Sequence, residues 1–187
     1  YDPAIRKISE LIHGDELGSV HHIYSQRLNL GRIKRDSNVW WNSAPHDVSI
    51  ILYLLDNAPQ TIALHGYRYL QPDLEDLNLA VLELSGGVSA FIYHNWLFPE
   101  NTARLTIIGS KKMLVYEGKF EKRAITVYEY DVDLAGSARA GMQDLPTTIP
   151  SKILAEHTLP GLTDQEPLAV AVNDFVAGIQ HGRAVVS

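Results

Sequence analysis

The sequence predicts an α+β fold with a strand-rich middle between helices. Apolar residues recur at helical spacing near both ends of the chain, from Ile5 to Ile12 and from Leu168 to Ile179. Between Thr61 and Tyr130 the apolar residues instead alternate with period two, and Gly-containing turns separate several of the alternating segments. Such turns join neighbouring strands as hairpins, so most strand pairs should be antiparallel.

The first helix and the strand after it have clear boundaries. Asp2 can accept hydrogen bonds from free backbone N–H groups, Pro3 suits the first helical turn, and Gly14 ends the helix. A strand is then predicted from Val20 to Leu30, with successive side chains on opposite faces.

A second helix is predicted to begin at Ser43 and Pro45 and to stop before Pro59. Its buried stripe is predicted to consist of apolar residues at helical spacing, namely Val48, Ile51, Leu52 and Leu55. This start places His46 in the first turn. The partial positive charge of a helix N-terminus favours a neutral imidazole, the form that can accept a proton from an alcohol.

Six further strands are predicted in the middle of the chain, at Thr61–Tyr69, Asp76–Leu84, Val88–Phe98, Ala103–Ile108, Lys112–Tyr116 and Ala124–Tyr130. Residues 134–160 have little periodicity and are predicted to form a long surface loop with a short strand near Ile153. A last helix is predicted to begin at Thr163, which has capping-box spacing with Glu166, and to end at Gly182.

The composition is that of one soluble globular domain. The chain has 187 residues, 45% hydrophobic and 20% charged, and lacks the apolar run of about 20 residues that a membrane-spanning helix requires. A net charge of −6 argues against broad binding to nucleic acid, because such binding requires clustered Lys and Arg. The absence of Cys excludes disulfides and fits a reducing compartment, so the cytoplasm is the expected location.

One basic cluster interrupts this acidic chain, and it consists of Arg27, Arg32, Lys34 and Arg35. Such a local reversal of charge is typical of a site for an anionic small molecule, but it is also typical of a solvated loop. Charge alone leaves both interpretations open.

The segment between the first strand and the second helix combines side chains suited to a small-molecule site. The strand end supplies Arg27 and Asn29, Trp40 and Trp41 offer flat apolar faces, and His46 can act as a general base. Structural alternatives exist, because a His can cap its helix or hydrogen-bond to the backbone, and Trp often packs in a core. The other His residues lack the spacing of metal ligands, so no metal site is predicted.

Several short motifs follow one another along the chain, and they are Tyr1-Asp2-Pro3-Ala4, Gly14-Asp15-Glu16-Leu17-Gly18, Arg27-Leu28-Asn29-Leu30-Gly31-Arg32, Trp40-Trp41-Asn42-Ser43-Ala44-Pro45-His46-Asp47, Gly86-Gly87, Ile108-Gly109-Ser110-Lys111-Lys112 and Glu166-Pro167-Leu168. In order and spacing they resemble the C-terminal domain of the glucose-fructose oxidoreductase and inositol dehydrogenase (Gfo/Idh/MocA) family. The resemblance covers nearly the whole chain.

The resemblance implies an open, mainly antiparallel sheet with helices packed on one face, which binds substrate and forms a homo-oligomer through the sheet. In that family an N-terminal Rossmann domain binds NAD or NADP, and residues 1–187 contain no G-x-G-x-x-G motif. The chain starts without Met and stops abruptly. It is therefore expected to be a fragment of a longer enzyme, holding no cofactor and inactive by itself.

The resemblance also implies roles for single residues. His46 matches the catalytic His of the family, and Asn42 stands where the family has an Asp, while a catalytic Lys belongs to the Rossmann domain. An Asn can orient a hydroxyl but cannot accept its proton. Trp41 would border the nicotinamide. Three polar side chains near the first strand would contact the substrate, and they are Arg27, Asn29 and Arg32.

Two functions follow from these observations. In the first, the parent chain transfers hydride between NAD(P) and a hydroxyl of a sugar or nucleotide sugar, with His46 as acid/base. In the second, the domain is a non-catalytic sugar-binding or oligomerisation module in which Asn42 marks lost chemistry. In an oligomer the sheet would bury apolar side chains such as Ile92 and Trp96 between subunits.

Overall fold

A computed structural model describes residues 2–31, 33–119, 122–132, 151–160 and 166–184. The helices in these ranges are α1 (Pro3–His13), α2 (Val39–Leu55) and α3 (Pro167–His181). The strands are β1 (Val20–Leu28), β2 (Pro59–Tyr67), β3 (Leu77–Leu84), β4 (Ser89–Asn95), β5 (Thr102–Gly109), β6 (Lys112–Lys119), β7 (Lys122–Val132) and β8 (Ser151–Thr158).

The eight strands form one sheet in the order β2-β3-β4-β1-β5-β6-β7-β8. Its neighbouring strands pair antiparallel except for β1 and β4, which run parallel with Ile23 opposite Ala90. The predicted α+β class and mainly antiparallel sheet are confirmed. The parallel pair was not predicted, because period-two alternation does not reveal which strands become neighbours.

Helices α1 and α2 pack on one face of the sheet. The core of this layer combines apolar side chains from both helices and from the inward-facing strand positions, for example Ile8, Ile51, Ile23, Ile92 and Ile107. Each of these side chains is fully buried, and such burial contributes about 1.5–3 kcal/mol. Apolar burial therefore holds the two helices against the sheet.

Helix α1 begins and ends as predicted. The carboxylate of Asp2 accepts a hydrogen bond from the backbone N–H of Ala4 at 2.8 Å, and Gly14 caps the other end. The loop after α1 then lies close to the end of β5. A Cβ atom at Gly109 would lie 2.2 Å from the carbonyl oxygen of Leu17, so this close approach requires glycine.

Helix α2 begins earlier than predicted. Its N-cap is Asn38, whose side chain accepts a hydrogen bond from the backbone N–H of Trp41 at 3.0 Å, and its first residue is Val39 rather than Ser43. Pro45 consequently lies inside the helix. The prediction was wrong because Pro is typical of a first turn, whereas here an Asn in the preceding polar loop supplies the cap.

The predicted strands are present, with shifted ends. β1 stops at Leu28, so Asn29 lies just beyond the strand. The complete strand β8 occurs where only a short strand near Ile153 was predicted, and it pairs with β7. Residues 134–150 of the predicted loop lie outside the described residues.

Helix α3 ends at Gly182 as predicted, but it begins at Pro167. Glu166 has an extended backbone and is the N-cap of the helix rather than a residue of its first turn, and Thr163, the other half of the predicted capping box, lies outside the described residues. The apolar side chains of α3 remain exposed, and they are Leu168, Val172, Phe175, Val176 and Ile179. Across the described ranges, no helix has both the length and the apolar character needed to span a membrane.

The opposite face of the sheet presents aromatic side chains at its centre. The rings of His22 and Tyr24 meet Phe91 edge to face, with centroids 4.6 and 6.4 Å apart, and Phe91 remains 38% exposed. In contrast, Ile92 and Trp96 are already buried within one chain. The prediction that these two side chains become buried between subunits is therefore wrong, because the alternation of β4 turns Ile92 towards the helices.

Candidate functional site

His46 is exposed and lies about two turns into α2. Only the backbone N–H groups of the first turn lack partners within a helix. The prediction that His46 lies in the first turn is therefore wrong, because α2 starts at Val39. The backbone carbonyl of His46 accepts a hydrogen bond from the Ser49 hydroxyl at 2.9 Å.

Asn42 lies one turn before His46, and residues four apart on a helix face the same side. The half-buried Asn42 amide donates to the Ser43 hydroxyl at 3.2 Å. Trp41 is 72% exposed, which leaves its indole face open to a ligand. Trp40 instead packs against the core, with its ring centroid 6.2 Å from that of His94.

The polar residues predicted at the end of β1 lie beside α2. Nε of Arg27 donates to both carboxylate oxygens of Asp47, at 2.9 and 2.8 Å. The backbone N–H of Asn29 donates to the carbonyl of Asn95 at 3.0 Å, and its side chain is half-buried. Arg32 lies outside the described residues.

Asp47 is the centre of a buried polar cluster that the sequence analysis missed. Its side chain is 2% exposed and accepts hydrogen bonds from Arg27, from the Ser25 hydroxyl at 2.8 Å and from Nε2 of His94 at 2.8 Å. The sequence does contain a signal. Of the predicted stripe, Ile51 is buried and Val48 and Leu55 pack partly buried against the core. Asp47 is buried one turn before Ile51, so a charged residue occupies a core position of the helix.

Burial opposes ionisation of Asp47, but the hydrogen bond from His94 and the charge of Arg27 outweigh it. The pKa of this carboxyl is therefore held below its ordinary value. A carboxylate oxygen can only accept, so Nε2 of His94 donates this bond, and its Nδ1 lies 3.1 Å from Oδ1 of Asn78. The bond to Asp47 consequently fixes the orientation of the His94 ring, and the Asn78 side chain lies against its other edge.

A cavity of about 340 Å³ lies next to this cluster, among α1, α2 and the sheet. Ser25, Arg27 and Asp47 form one side of it, and Ser49 and Tyr53 form another. Positions 49 and 53 continue the helical face that carries Asn42 and His46, because they follow at spacings of three and four. The cavity thus extends along the same face of α2 and falls in the size range of small-molecule sites.

Tyr116 closes the cavity near the start of α1. Its hydroxyl donates to Oδ2 of Asp2 at 3.3 Å, and burial together with the nearby negative charge of Asp2 raises the pKa of this hydroxyl. Tyr116 is therefore a neutral hydrogen-bond donor in this wall. Over the part of the chain that the structure describes, no group of three or more His, Asp or Glu side chains could hold a metal ion.

The sequence profile of the GFO/IDH/MocA C-terminal domain matches residues 5–115, more than half of the chain. The chain belongs to this family. The resemblance drawn from the sequence motifs is confirmed. The matched range includes α1, α2 and the first five strands, so it contains His46, Asn42 and the Asp47 cluster.

Solved structures share the fold of this GFO/IDH/MocA domain. UDP-N-acetylglucosamine 3-dehydrogenase from Acidithiobacillus ferrooxidans matches with a TM-score of 0.74 and 18% identity, over 99% of this chain and 51% of that one. Aldose-aldose oxidoreductase from Caulobacter crescentus, complexed with glycerol, matches with a TM-score of 0.73 and 11% identity, over 99% and 52%.

An inositol dehydrogenase homolog from Azotobacter vinelandii, complexed with NADH and myo-inositol, matches with a TM-score of 0.60 and 14% identity, over 67% of this chain and 37% of that one. At these identities the likeness establishes the fold. The GFO/IDH/MocA domain described here spans about half the length of the first two structures. No curated protein matches the sequence.

Proposed function

We propose that this chain is the substrate-binding domain of an NAD(P)-dependent oxidoreductase that transfers hydride between nicotinamide and a hydroxyl of a sugar or nucleotide sugar. The observation that carries the proposal is the exposed His46 with Asn42 one turn before it, on the face of α2 that continues into an Arg27-lined cavity, in a member of the GFO/IDH/MocA family. Structures with the same fold carry names of sugar dehydrogenases and oxidoreductases, which supports this substrate class.

We further propose that a dinucleotide-binding domain accompanies this one in the complete protein. Its support is that the chain spans about half of the structures it resembles and contains no glycine-rich phosphate loop. Within this chain the exposed indole of Trp41 fits the border of a nicotinamide ring, because its face is flat and apolar.

In this proposal each residue near the start of α2 has a separate task. A bound nicotinamide supplies the hydride acceptor for the carbon that carries the reacting hydroxyl. His46 takes the proton of that hydroxyl, since a neutral imidazole is a base of suitable strength at neutral pH. The Asn42 amide orients the hydroxyl but leaves the proton to His46.

A second candidate is a non-catalytic binding module of the same family. The observation in its favour is Asn42, because an amide cannot supply the negative charge that an Asp would place beside His46. The two candidates differ in whether removal of the His46 imidazole changes turnover.

The test is His46→Ala in the complete protein, with UDP-N-acetylglucosamine as substrate and NAD⁺ or NADP⁺ as oxidant. Loss of a general base should lower kcat by about 10² to 10⁴-fold. Dinucleotide affinity, measured by fluorescence titration, should stay within about twofold, because the imidazole acts on the sugar hydroxyl.

The matched control is His65→Ala, since His65 is another exposed His, on strand β2. It should leave kcat unchanged. Equal turnover of wild type and His46→Ala would remove His46 from the mechanism. A wild-type protein that oxidises no sugar with either dinucleotide would favour the binding module.

A further inference from the structure

The cluster around Asp47 joins three elements at one point. Asp47 comes from α2, Ser25 and Arg27 from β1, and His94 from β4. In the parallel pairing of β1 with β4, Arg27 lies opposite His94, so both side chains reach the same carboxylate from adjacent strands. The carboxylate thereby ties the helix that carries His46 to the strand that carries Arg27.

In this arrangement the two edges of the Arg27 guanidinium have different environments. Its Nε–H is directed at both oxygens of Asp47, whereas its terminal nitrogens make no hydrogen bond to any residue in the described ranges. The Arg27 side chain is 36% exposed and lines the cavity. The remaining edge carries two N–H groups that point in parallel, a geometry that suits paired oxygen acceptors.

The neighbours of Asp47 make this orientation rigid. His94 is fully buried, donates from Nε2 to Asp47 and has Asn78 against its other edge. Ser25 is 3% exposed and donates to the other carboxylate oxygen. Because Asp47 is immobilised by these donors, the guanidinium that it binds has a restricted orientation.

We propose that Asp47 and His94 are positioning residues that hold the Arg27 guanidinium so that its terminal N–H groups bind oxygen acceptors of the substrate in this cavity. The inference rests on the proposed function, and both positioning residues act through Arg27. A purely structural cluster would affect stability without a selective effect on the sugar substrate.

The kinetic test compares Asp47→Asn with Asp56→Asn in the complete protein, using UDP-N-acetylglucosamine and NAD⁺. Both changes replace a carboxylate by an amide on α2, but Asp56 is exposed at the C-terminal cap. Asp47→Asn should lower kcat/KM for the sugar by at least about tenfold and leave KM for the dinucleotide within about twofold. Asp56→Asn should leave both values unchanged.

A second pair of variants, at His94, distinguishes the effect of its hydrogen bond to Asp47 from the effect of its side-chain volume. His94→Leu removes the donor and should lower kcat/KM for the sugar by about three- to tenfold, whereas His94→Gln keeps an N–H donor and should restore most of the loss. If Asp47→Asn does not fold, the proposal is tested by kcat/KM for the sugar in His94→Leu and Ser25→Ala. Unchanged kcat/KM in a folded Asp47→Asn, or in both of these replacements, overturns the proposal.

A measurement on this chain alone keeps the inference separate from the proposed function. The ¹⁵N heteronuclear NOE of the Arg27 Nε–H should show an ordered side chain in the wild type and a mobile one in Asp47→Asn. An equally ordered Arg27 in both proteins overturns the positioning role. If the NOE behaves as expected but the complete wild-type protein oxidises no sugar, the proposed function fails and Arg27 positioning stands.

Discussion

Asp47 occupies a position of α2 that packs towards the core, where an unpaired charge would be strongly unfavourable. Three hydrogen-bond donors stabilise the buried charge, because Arg27, Ser25 and His94 each donate to the carboxylate within 2.9 Å. Removing one partner of such a buried group costs more than the bond itself contributes, since the other partners lose their acceptor.

The low pKa of Asp47 predicts a loss of stability in acid. An unfolded Asp titrates near about 3.9, and the folded one at lower pH. Between these values the unfolded state binds more protons, so the contribution of Asp47 is complete above about pH 4 and is lost as the pH falls through the folded pKa. Asp47→Asn should remove this contribution.

Urea titrations at about pH 7 and about pH 3 measure the effect as a change in the free energy of unfolding. Wild type and Asp56→Asn should lose more stability between the two pH values than Asp47→Asn loses. An equal loss of unfolding free energy in acid for all three proteins would show that the partners of Asp47 do not lower its pKa.

At this scale the family resemblance predicted roles for His46, Asn42, Arg27 and Asn29, and the structure places these residues in or beside α2 and β1. The cluster of Asp47 and His94 was not predicted, and the reason is physical. Their contact depends on the packing of α2 against β4, and the pairing of β4 with β1 then brings Arg27 to the same carboxylate; Asp47 and His94 are far apart in the sequence. Periodicity within one segment carries no information about such a pairing.

At the scale of elements, the start of α2 determines the site geometry. Asn38 caps the helix, and its amide also donates to Oε2 of Glu75 at 2.9 Å. The predicted start at Ser43 would have left Trp41 and Asn42 in a loop. The true start at Val39 fixes both residues on the helix, where Asn42 shares a face with His46.

Asn38→Ala should therefore destabilise the protein by about 1 kcal/mol, the usual contribution of an N-cap side chain. Urea unfolding followed by circular dichroism measures this difference. Ser37→Ala is the control, because Ser37 precedes the cap and makes only a long contact, 3.5 Å, with Asp36. Equal losses in both variants would contradict the assigned cap.

The remaining elements show which patterns are informative. Helix α1 has its capping Asp and terminal Gly in the expected places, so its limits were predicted correctly. Strand β8 was underestimated because Ser151 to Thr158 lacks a clean alternation of apolar and polar residues. Its pairing with β7 supplies the order that its own sequence does not specify.

At the scale of the whole molecule, the sheet face opposite α1 and α2 remains available for assembly. The centre of this face is the group of His22, Tyr24 and Phe91, and aromatic side chains are enriched in subunit interfaces. The homo-oligomer predicted from the family resemblance is a proposal, and this aromatic group is the surface on which it would form.

Phe91→Glu should convert the oligomer to monomers, because a charge would be buried without a partner at the centre of the interface. Light scattering coupled to size-exclusion chromatography measures the mass of each species. Ile62→Glu is the control, since Ile62 is 59% exposed on the edge strand β2. A wild-type monomer, or an unchanged mass in Phe91→Glu, would contradict the proposed interface.

Strand β1 also has a consequence for the order in which this protein can assemble during synthesis. Its two neighbours in the sheet are β4 and β5, where Ile23 pairs with Ala90 and Ile107. On the ribosome, β1 therefore has no native partner until β4 has emerged, and its second partner follows only with β5. Closing so long a loop is entropically costly, whereas β5 to β7 can pair locally as hairpins. The strand at the centre of the finished sheet is thus made before either of the strands that pair with it.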